Sequence, residues 1–237
     1  MCTLTILRHD DRVLVTMNRD DVRERQEAPP ALWTGAPITF AAPKDLQAGG
    51  TWIGAGENGV VACLLNRYDT APAGRVSRGR IVIEAIKGVT FKGACDALGS
   101  LDHGAFSPFT CIVIDRGDAA RFDWTGSSFE RATLPRTDVM ATSSSWQFDD
   151  VKRRREARFR EVWASSAIAA DRLAAFHGTQ DPAHDAWAPM MERPQSHTKS
   201  ITQVAIGEGD VEMRYWTRES ILARGLDNPD STVQLSM

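Results

Sequence analysis

The sequence lacks the features that mark membrane, secreted and nucleic-acid-binding proteins. None of its apolar runs approaches the roughly 18 to 20 residues that a membrane-spanning helix needs. It has only four cysteines and no CxxC pair, so neither a disulfide framework nor a cysteine-rich metal site is expected. The formal net charge of −3 provides no general attraction to nucleic acid or anionic lipid. These absences predict a reduced protein with no stable membrane insertion and no nucleic-acid partner.

The first residues show no targeting signal. The segment MCTLTILRHDDR has neither a basic stretch followed by an apolar core nor a small-residue cleavage pattern. A secretory signal is therefore not expected, and the unpaired cysteines favour a cytoplasmic location.

What the sequence does contain is typical of a folded protein with a sizeable core. Hydrophobic residues make up 42% and charged residues 25% of its 237 residues. No internal repeat, low-complexity segment or linker divides the chain. A single domain over residues 1–237 is therefore predicted, although the sequence does not predict an oligomeric state.

Short apolar runs separated by turn residues predict a series of β-hairpins. The turn in the first hairpin is polar, and the turn in the second contains Asn58-Gly59, a strong hairpin signal. The paired strands are predicted at 2–8 and 13–17, 51–54 and 60–65, 110–114 and 120–124, and 200–206 and 211–216. A further strand is predicted at 138–142, and the Pro-, Ala- and Gly-rich residues 28–50 predict an irregular loop with one short strand at 38–41.

Helical patterns are fewer. Ser77 and Thr90 are placed to cap helices over 80–86 and 92–98, and apolar residues at helical spacing predict a long helix over 149–177. The residues after 216 are expected to be peripheral. Because hairpins come in runs instead of alternating strictly with helices, the predicted fold class is α+β with largely antiparallel sheets.

Three sequence patterns could indicate a binding site, but each has a simpler structural interpretation. Residues 54–59 match G-x-G-x-x-G, but a predicted strand follows them where a dinucleotide site needs a helix. The basic run at 152–155 lies among acidic residues of the long helix, which favours a solvated helix face. The five histidines show no paired ligand spacing, so no metal site is predicted, with only His184 and His197 left open as ligands.

Cys2 is the residue that most strongly suggests chemistry. Removal of Met1 would give Cys2 a free α-amine beside its thiol. The reference pKa values are about 8.5 for the thiol and about 7.7–8.0 for the amine, so the amine can act as the general base. Such a nucleophile also needs a group that orients the amine and a donor for the oxyanion.

The first hairpin supplies candidates for these roles. Asp20 or Asp21 can offer a carboxylate to the amine, and Arg19 can hold the thiolate or a substrate carbonyl. Asn66 ends a predicted strand and can donate to an oxyanion. The residues alone leave a second interpretation open, in which Cys2 is incidental and the Arg-Asp pairs are salt bridges.

Several motifs together resemble the NRDE family, which includes the transport and Golgi organisation 2 proteins. The resemblance spans about residues 1–216 and is most specific in the first hundred. The residues that carry it are Met1-Cys2, Asn18-Arg19-Asp20-Asp21, the GGTWIG stretch at 49–54, Asn58-Gly59, Leu65-Asn66, Ser77-Arg78-Gly79 and the stretch HTKSIT at 197–202.

That family is similar in turn to amino-terminal (Ntn) cysteine hydrolases such as choloylglycine hydrolase and penicillin V acylase. The resemblance implies an αββα sandwich with two largely antiparallel sheets. It also implies a catalytic group, a set of substrate contacts and no metal. The implied catalytic residues are Cys2, Arg19, Asp20, Asp21 and Asn66, and the implied substrate contacts are Asn18, Trp52 and Ser144.

The sequence departs from the family pattern at three places. Asp21 stands where the family has Glu, and Ser143-Ser144 stands where a Ser-Asn step is expected, so the second asparagine of a hydrolase site is missing. The arginine that acylases place late in the chain has only Lys199 as a candidate.

Three functions follow from these residues. The first is a hydrolase that cleaves an amide, thioester or ester bond through acyl-Cys2, needs no cofactor and takes a small acyl substrate. The second is a non-catalytic protein that binds or carries haem or an acyl lipid in the same pocket. The third is an interaction protein in which the family motif only builds the core, with Asn18, Arg19 and Asp20 in a buried network without a ligand. Cys63 and Cys95 are expected in the core in every case.

Overall fold

Two antiparallel sheets form the centre of the molecule. The structure is a computed structural model that describes residues 2–9, 11–34, 37–165, 169–181 and 183–236. Its strands are β1 (Cys2–His9), β2 (Arg12–Val22), β3 (Glu27–Trp33), β4 (Phe40–Asp45), β5 (Ile53–Gly56), β6 (Val61–Asn66), β7 (Phe109–Ile114), β8 (Ala119–Trp124), β9 (Phe129–Thr133), β10 (Val139–Ser143), β11 (Ser196–Ile206), β12 (Asp210–Thr217) and β13 (Ser231–Ser236).

Helices cover the outer faces of both sheets. They are α1 (Gly79–Ile86), α2 (Phe91–Gly99), α3 (Phe148–Ser165), α4 (Ala169–His177) and α5 (Arg218–Arg224), with a short 3₁₀ helix at His103–Ala105. The first sheet has the order β10-β1-β2-β11-β12-β13, and the second runs β3-β4-β5-β6-β7-β8-β9. This arrangement confirms the predicted α+β class with two antiparallel sheets.

The core between the sheets follows from strand alternation. Leu4 and Ile6 on β1 pack with Val15 and Met17 on β2 and with residues of the second sheet such as Ile53. Because successive side chains of a strand point to opposite faces, the residues between them point to the helical layer. The hairpin therefore has one apolar face between the sheets and one partly polar face beneath α3 and α4.

The second sheet is buried on both faces. Its other face packs on α1 and α2, where Val82 and Ile86 meet Phe109 and Cys111. All four cysteines are buried free thiols. The prediction that Cys63 and Cys95 belong to the core is confirmed.

The expected irregular loop at 28–50 is wrong, because β3 and β4 occupy about half of it; the short strand predicted at 38–41 overlaps the start of β4. β3 is an edge strand, and its pairing with β4 shifts register between Ala28 and Ala31, where Pro29 and Pro30 stand. Proline lacks the backbone N–H that a central strand needs but is tolerated at an edge or a bulge. The proline-rich composition favours a loop, and for that reason β3 was not predicted.

The local predictions of turns and caps had mixed outcomes. Thr90 caps α2 by accepting the Gly93 N–H at 2.9 Å, as predicted. The turn at Asn58-Gly59 is also confirmed, with Gly59 at φ 79°. The cap by Ser77 is wrong, since α1 begins at Gly79 after Arg78 and makes no side-chain cap hydrogen bond.

The C-terminal third confirms one prediction within the described residues and corrects another. Helices α3 and α4 occupy the predicted helical range 149–177 on either side of residues 166–168, which lie outside the described residues, as do Met1 and Asp10. The stretch after 216 is not peripheral, because β13 pairs with β12 and completes the first sheet. None of the helices in the described ranges combines the length and apolarity required to cross a membrane.

Candidate functional site

Cys2 lies at the wall of a cavity of about 320 Å³ that is lined by residues of both sheets and of the segment leading into α1. It is the first residue of β1, and its neighbours across the ladder are Arg19 on β2 and Ser143 on β10. The residue is 6% exposed. The lining also includes Asn66 from β6 and Arg78, the residue just before α1.

The hairpin register places Arg19 beside Cys2, as the sequence predicts. The pairing runs without a shift from His9 opposite Arg12 to Cys2 opposite Arg19. Since directly opposite residues share a face, Cys2 and Arg19 both point between the sheets. Asn18 and Asp20 point to the helical layer.

Arg19 is held by three carboxylates and an aromatic ring. Its guanidinium pairs with Asp21 at 3.0 Å, with Asp45 at 3.0 Å and with Glu27, and lies 4.3 Å from the centre of the Trp52 ring. Burial opposes its charge, but the carboxylates outweigh burial and raise the pKa of Arg19. Both Nη atoms of Arg19 are therefore committed to carboxylates of the protein.

The thiol of Cys2 is protonated at neutral pH. Burial raises its pKa above the ordinary value, whereas a backbone hydrogen bond from Asp20 and the charge of Arg19 act in the opposite direction. A protonated thiol is a weak nucleophile, so chemistry at Cys2 needs a base close to the sulfur.

The backbone nitrogen of Cys2 also has a specific partner. It donates to Ser143 Oγ at 3.1 Å, and Thr142 Oγ1 donates to the Cys2 carbonyl at 3.1 Å. Ser143 is buried. In the sequence, Ser143 stands out only as part of a departure from a family pattern. Its contact with Cys2 depends on the β1–β10 register, which no local signal predicts.

Asp20 connects the site to the helical layer. Its carboxylate accepts a hydrogen bond from Thr198 Oγ1 at 2.5 Å and pairs with Arg155 at 3.6 Å. It is buried. The Asp20 carboxylate is thus fixed on the helical side of β2, and the backbone N–H of the same residue donates to the Cys2 thiol.

Arg155 corrects the prediction of a solvated basic run. Lys152, Arg153 and Arg154 are exposed, but Arg155 is only 1% exposed. It donates to Thr142 Oγ1 at 3.0 Å and to two backbone carbonyls of the turn-rich segment, Trp187 at 3.0 Å and Ala188 at 2.8 Å, and also to Thr3 Oγ1. A signal was present, because Arg155 lies four residues after the buried Val151 on one helical stripe.

Asn18 does not line this cavity. Its amide donates to the carbonyls of His177 and Pro189, each at 3.0 Å, and its Oδ1 contacts the His177 ring. Burial lowers the pKa of His177 to about 3, so its ring is neutral. The structure therefore places Asn18 in a buried network that anchors α4 to β2.

The remaining predicted residues divide between two cavities. Asn66 and Trp52 line the Cys2 cavity, and the Asn66 side-chain amide makes no hydrogen bond to any residue that the structure describes. Ser144 lines a neighbouring cavity of about 300 Å³ that also includes Asn66. Lys199 is outside both and donates to the carbonyl of Arg23 at 2.8 Å.

No metal centre is apparent in the described part of the chain. No group of three or more histidine, cysteine, aspartate or glutamate side chains there could hold a metal ion. His184 contacts Asp181 at 3.0 Å, and His197 contacts Arg23 at 3.1 Å. The two histidines thus have protein partners.

Comparison with known proteins identifies the fold. A family model described as Transport and Golgi organisation 2 matches residues 1–223. A search of curated protein sequences finds no match. Among solved structures, a mutant of conjugated bile acid hydrolase from Clostridium perfringens has a TM-score of 0.56 at 11% identity, covering 100% of this chain and 92% of that chain.

A second solved structure gives the same result. The N-acylethanolamine-hydrolyzing acid amidase ortholog of Caenorhabditis elegans has a TM-score of 0.55 at 12% identity, covering 98% of this chain and 99% of that chain. At such low identities the likeness shows the fold alone, which is that of the Ntn-hydrolases.

Proposed function

Because the chain belongs to the Transport and Golgi organisation 2 family and has an Ntn-hydrolase fold, we propose that it is an amino-terminal cysteine hydrolase. The bond cleaved is an amide, or a thioester or ester, and the intermediate is acyl-Cys2. The observation that carries the proposal is the placement of Cys2, whose thiol and backbone nitrogen both have fixed partners at a cavity wall.

Removal of Met1 is the first requirement of this mechanism. It turns the Cys2 nitrogen from an amide into an amine, which can accept the thiol proton. The contact with Ser143 Oγ then orients the amine. The raised pKa of the thiol makes such a base necessary, because little thiolate forms at neutral pH without one.

Acylation follows from these positions. The amine takes the proton from the thiol while Sγ bonds to the substrate carbonyl carbon, and the negative charge moves to the carbonyl oxygen. The amide of Asn66, which lines the same cavity and has no hydrogen bond to a described residue, is the candidate donor to that oxyanion. The C–N bond then breaks, and the departing amine receives the proton from the Cys2 ammonium.

Deacylation repeats the sequence with water. The Cys2 amine takes a proton from water, the hydroxide attacks the acyl carbon, and the thiol recovers the proton as the C–S bond breaks. Arg19 contacts neither reactant directly in this scheme. It holds Asp21, Glu27 and Asp45 in place beneath the cavity and lowers the energy of the thiolate through its charge.

The names of the two structural relatives favour an amide substrate. One is a conjugated bile acid hydrolase and the other an acid amidase that hydrolyses N-acylethanolamines. The cavity volume of about 320 Å³ is at the lower end of the range for small-molecule sites, which favours a small acyl compound.

Intact-mass measurement of the purified protein tests the first requirement, and retention of Met1 would contradict the mechanism. The protein is then exposed to p-nitrophenyl hexanoate and digested. We expect a hexanoyl adduct on the Cys2 peptide and none on the buried Cys63, Cys95 or Cys111, which serve as internal controls. Cys2→Ala should form no adduct and release no p-nitrophenol above background.

Haem carriage has less support from this cavity. Haem needs an axial ligand such as His, Cys or Tyr and an apolar slot. Cys2 and Tyr68 line the cavity and have side chains of the ligand type, but among the described residues no histidine does, and the walls carry four arginines and three aspartates where haem needs an apolar slot. Haemin titration of wild type and Cys2→Ala, followed at the Soret band, tests it: saturable binding that depends on Cys2, with no acyl adduct, would favour carriage over hydrolysis.

A further inference from the structure

The arginines that line the Cys2 cavity differ in how far carboxylates neutralise their charge. Four arginines line it, namely Arg19, Arg25, Arg75 and Arg78. An arginine whose donors are already bound to carboxylates cannot offer them to a ligand without breaking those bonds. The partners of each arginine therefore decide which of them can recognise an incoming molecule.

Two of the four arginines are committed to carboxylates. Arg19 pairs with Asp21, Glu27 and Asp45. Arg25 pairs with Asp45 at 2.7 Å and with Asp21 at 3.5 Å. These two cations and three carboxylates form a cluster that has no positive charge to spare.

Arg75 is at the rim and faces solvent. Its side chain is 79% exposed, and it lies 3.6 Å from the exposed carboxylate of Asp102. A charge in that position is well hydrated and screened by salt, so it contributes little to binding.

Arg78 is different, because no carboxylate among the described residues pairs with it. Its Nη1 donates to the backbone carbonyls of Pro108 at 2.9 Å and Arg67 at 3.3 Å, which fixes the guanidinium at the cavity wall. The other donors, Nε and Nη2, have no partner in the described chain. Burial lowers the pKa of Arg78, the direction expected for a cation without a counter-ion.

The backbone at Arg78 is also held in place. Gly79 packs against Gly50 so closely that a Cβ at Gly50 would lie 2.7 Å from the Gly79 carbonyl carbon. The Thr51 N–H donates to the Gly79 carbonyl at 3.2 Å. The guanidinium therefore projects from a rigid point on the cavity that Cys2 also lines, and the two side chains are close enough to interact electrostatically. This is a preorganised arrangement for recognising an anion.

We infer that Arg78 is a specificity-determining residue that selects ligands carrying a carboxylate. Resting on the proposed function, this makes the substrate an acyl compound, such as an N-acyl amino acid, whose carboxylate binds Arg78 while its scissile carbonyl meets Cys2. Arg78 is an anion-binding residue of the cavity and takes no part in proton transfer.

A matched pair of ligands tests this without any turnover. Hexanoylglycine and hexanoylglycinamide differ only by a carboxylate in place of a carboxamide, and their affinities can be measured by titration calorimetry on the Cys2→Ala protein. We expect the carboxylate to bind about tenfold tighter or more, as for a charge-assisted hydrogen bond. When Arg78→Gln is combined with Cys2→Ala, the ratio of the two affinities should fall to near one. With Arg78→Lys in its place, part of the preference for the carboxylate should remain.

Arg75→Gln is the control, since it removes a cation from the same cavity rim. It should change the ratio less than twofold. Thermal melting of each variant checks folding, and Arg78→Lys keeps the test valid if Arg78→Gln is unstable. Equal binding of the two ligands, an unchanged ratio in Arg78→Gln, or no binding of hexanoylglycine at millimolar concentration would each overturn the inference.

Alkylation rates separate this role from an effect on the thiolate. Iodoacetate is charged and iodoacetamide is neutral, and both form a C–S bond to Cys2 with loss of iodide. If Arg78 binds the carboxylate, Arg78→Gln slows iodoacetate more than iodoacetamide. If Arg78→Gln slows both reagents equally, Arg78 acts by stabilising the Cys2 thiolate and not by binding the carboxylate. If Cys2 never forms an acyl adduct, the proposed hydrolysis is refuted. The ratio of the two ligand affinities can still be measured, because the calorimetry uses the Cys2→Ala protein and needs no turnover.

Discussion

Ser143 Oγ lies 3.1 Å from the backbone nitrogen of Cys2, across the pairing of β10 with β1. The two residues are 141 positions apart in the chain. The contact gives the nitrogen beside the thiol a fixed acceptor. In the proposed mechanism that nitrogen is the general base, so Ser143 is a positioning residue for it.

Substitution of Ser143 therefore tests the role of the amine. We expect Ser143→Ala to lower kcat by about 10- to 100-fold, the usual size of a lost positioning contact in acid-base catalysis. An acceptor on the ammonium stabilises its charged form, so loss of the acceptor lowers the amine pKa and moves the acid limb of the pH-rate profile to lower pH.

The neighbouring serine provides the control. Ser144→Ala changes a side chain that binds the Trp146 N–H at 3.1 Å and lines the other cavity, so the acid limb should stay in place. If Ser143→Ala lowers kcat but the acid limb of its pH-rate profile does not shift, Ser143 has a structural role and does not position the Cys2 amine.

Asn66 is the candidate oxyanion donor, and its removal should affect the transition state more than binding. Asn66→Ala is expected to reduce kcat by about 10²- to 10³-fold with little change in KM, as for other oxyanion donors. Stability should change little, because the amide has no hydrogen bond to lose within the described chain. Steady-state kinetics and a urea titration check the two parts, and an unchanged kcat would remove Asn66 from the mechanism.

Sequence could predict the parts of this site that lie within one hairpin. A short turn fixes the register of β1 and β2, so Arg19 falls opposite Cys2 without knowledge of the rest of the chain. The register between β1 and β10, and the approach of α3 to β2, depend on packing between distant segments. Ser143 and Arg155 were missed for that reason.

The proline-rich segment illustrates the same limit. Its composition favours a loop, but β3 is stable because the edge of the second sheet tolerates Pro29 and Pro30. The segment supplies Glu27, and β4, the next strand, supplies Asp45, and both pair with Arg19. The sequence suggested Arg19 and Asp21, but it gave no sign that Glu27 and Asp45 also pair with the arginine.

Arg155 and Arg153 lie two positions apart on α3 and should respond to substitution very differently. Arg155→Ala removes the cation that pairs with the buried Asp20 carboxylate and the donors to two backbone carbonyls, which is expected to cost about 3–5 kcal/mol of unfolding free energy. Arg153→Ala removes an exposed pair with Asp150 and should change stability by less than about 0.5 kcal/mol. Urea denaturation of both variants measures the difference, and similar midpoints would contradict the buried network.

The carboxylate of Asp45 makes stability depend on acid pH. Burial opposes its charge, but hydrogen bonds from Arg25 and the Ala48 N–H and the charges of Arg25 and Arg19 lower its pKa in the folded protein. A pKa below the unfolded value, about 3.9, means that the contribution to stability is present above that pH and is lost as the pH falls through the folded value.

Asp45→Asn should therefore flatten the acid side of the stability curve. Below about pH 4 the wild type is expected to lose unfolding free energy more steeply than Asp45→Asn, and near pH 7 the variant should be the less stable of the two because Arg19 and Arg25 lose a shared partner. Urea midpoints between pH 3 and pH 7 measure both effects, with the exposed Asp227→Asn as the control. Parallel curves for wild type and Asp45→Asn would mean that Asp45 titrates alike in the folded and unfolded chains, and that the cluster around Arg19 does not depend on its charge.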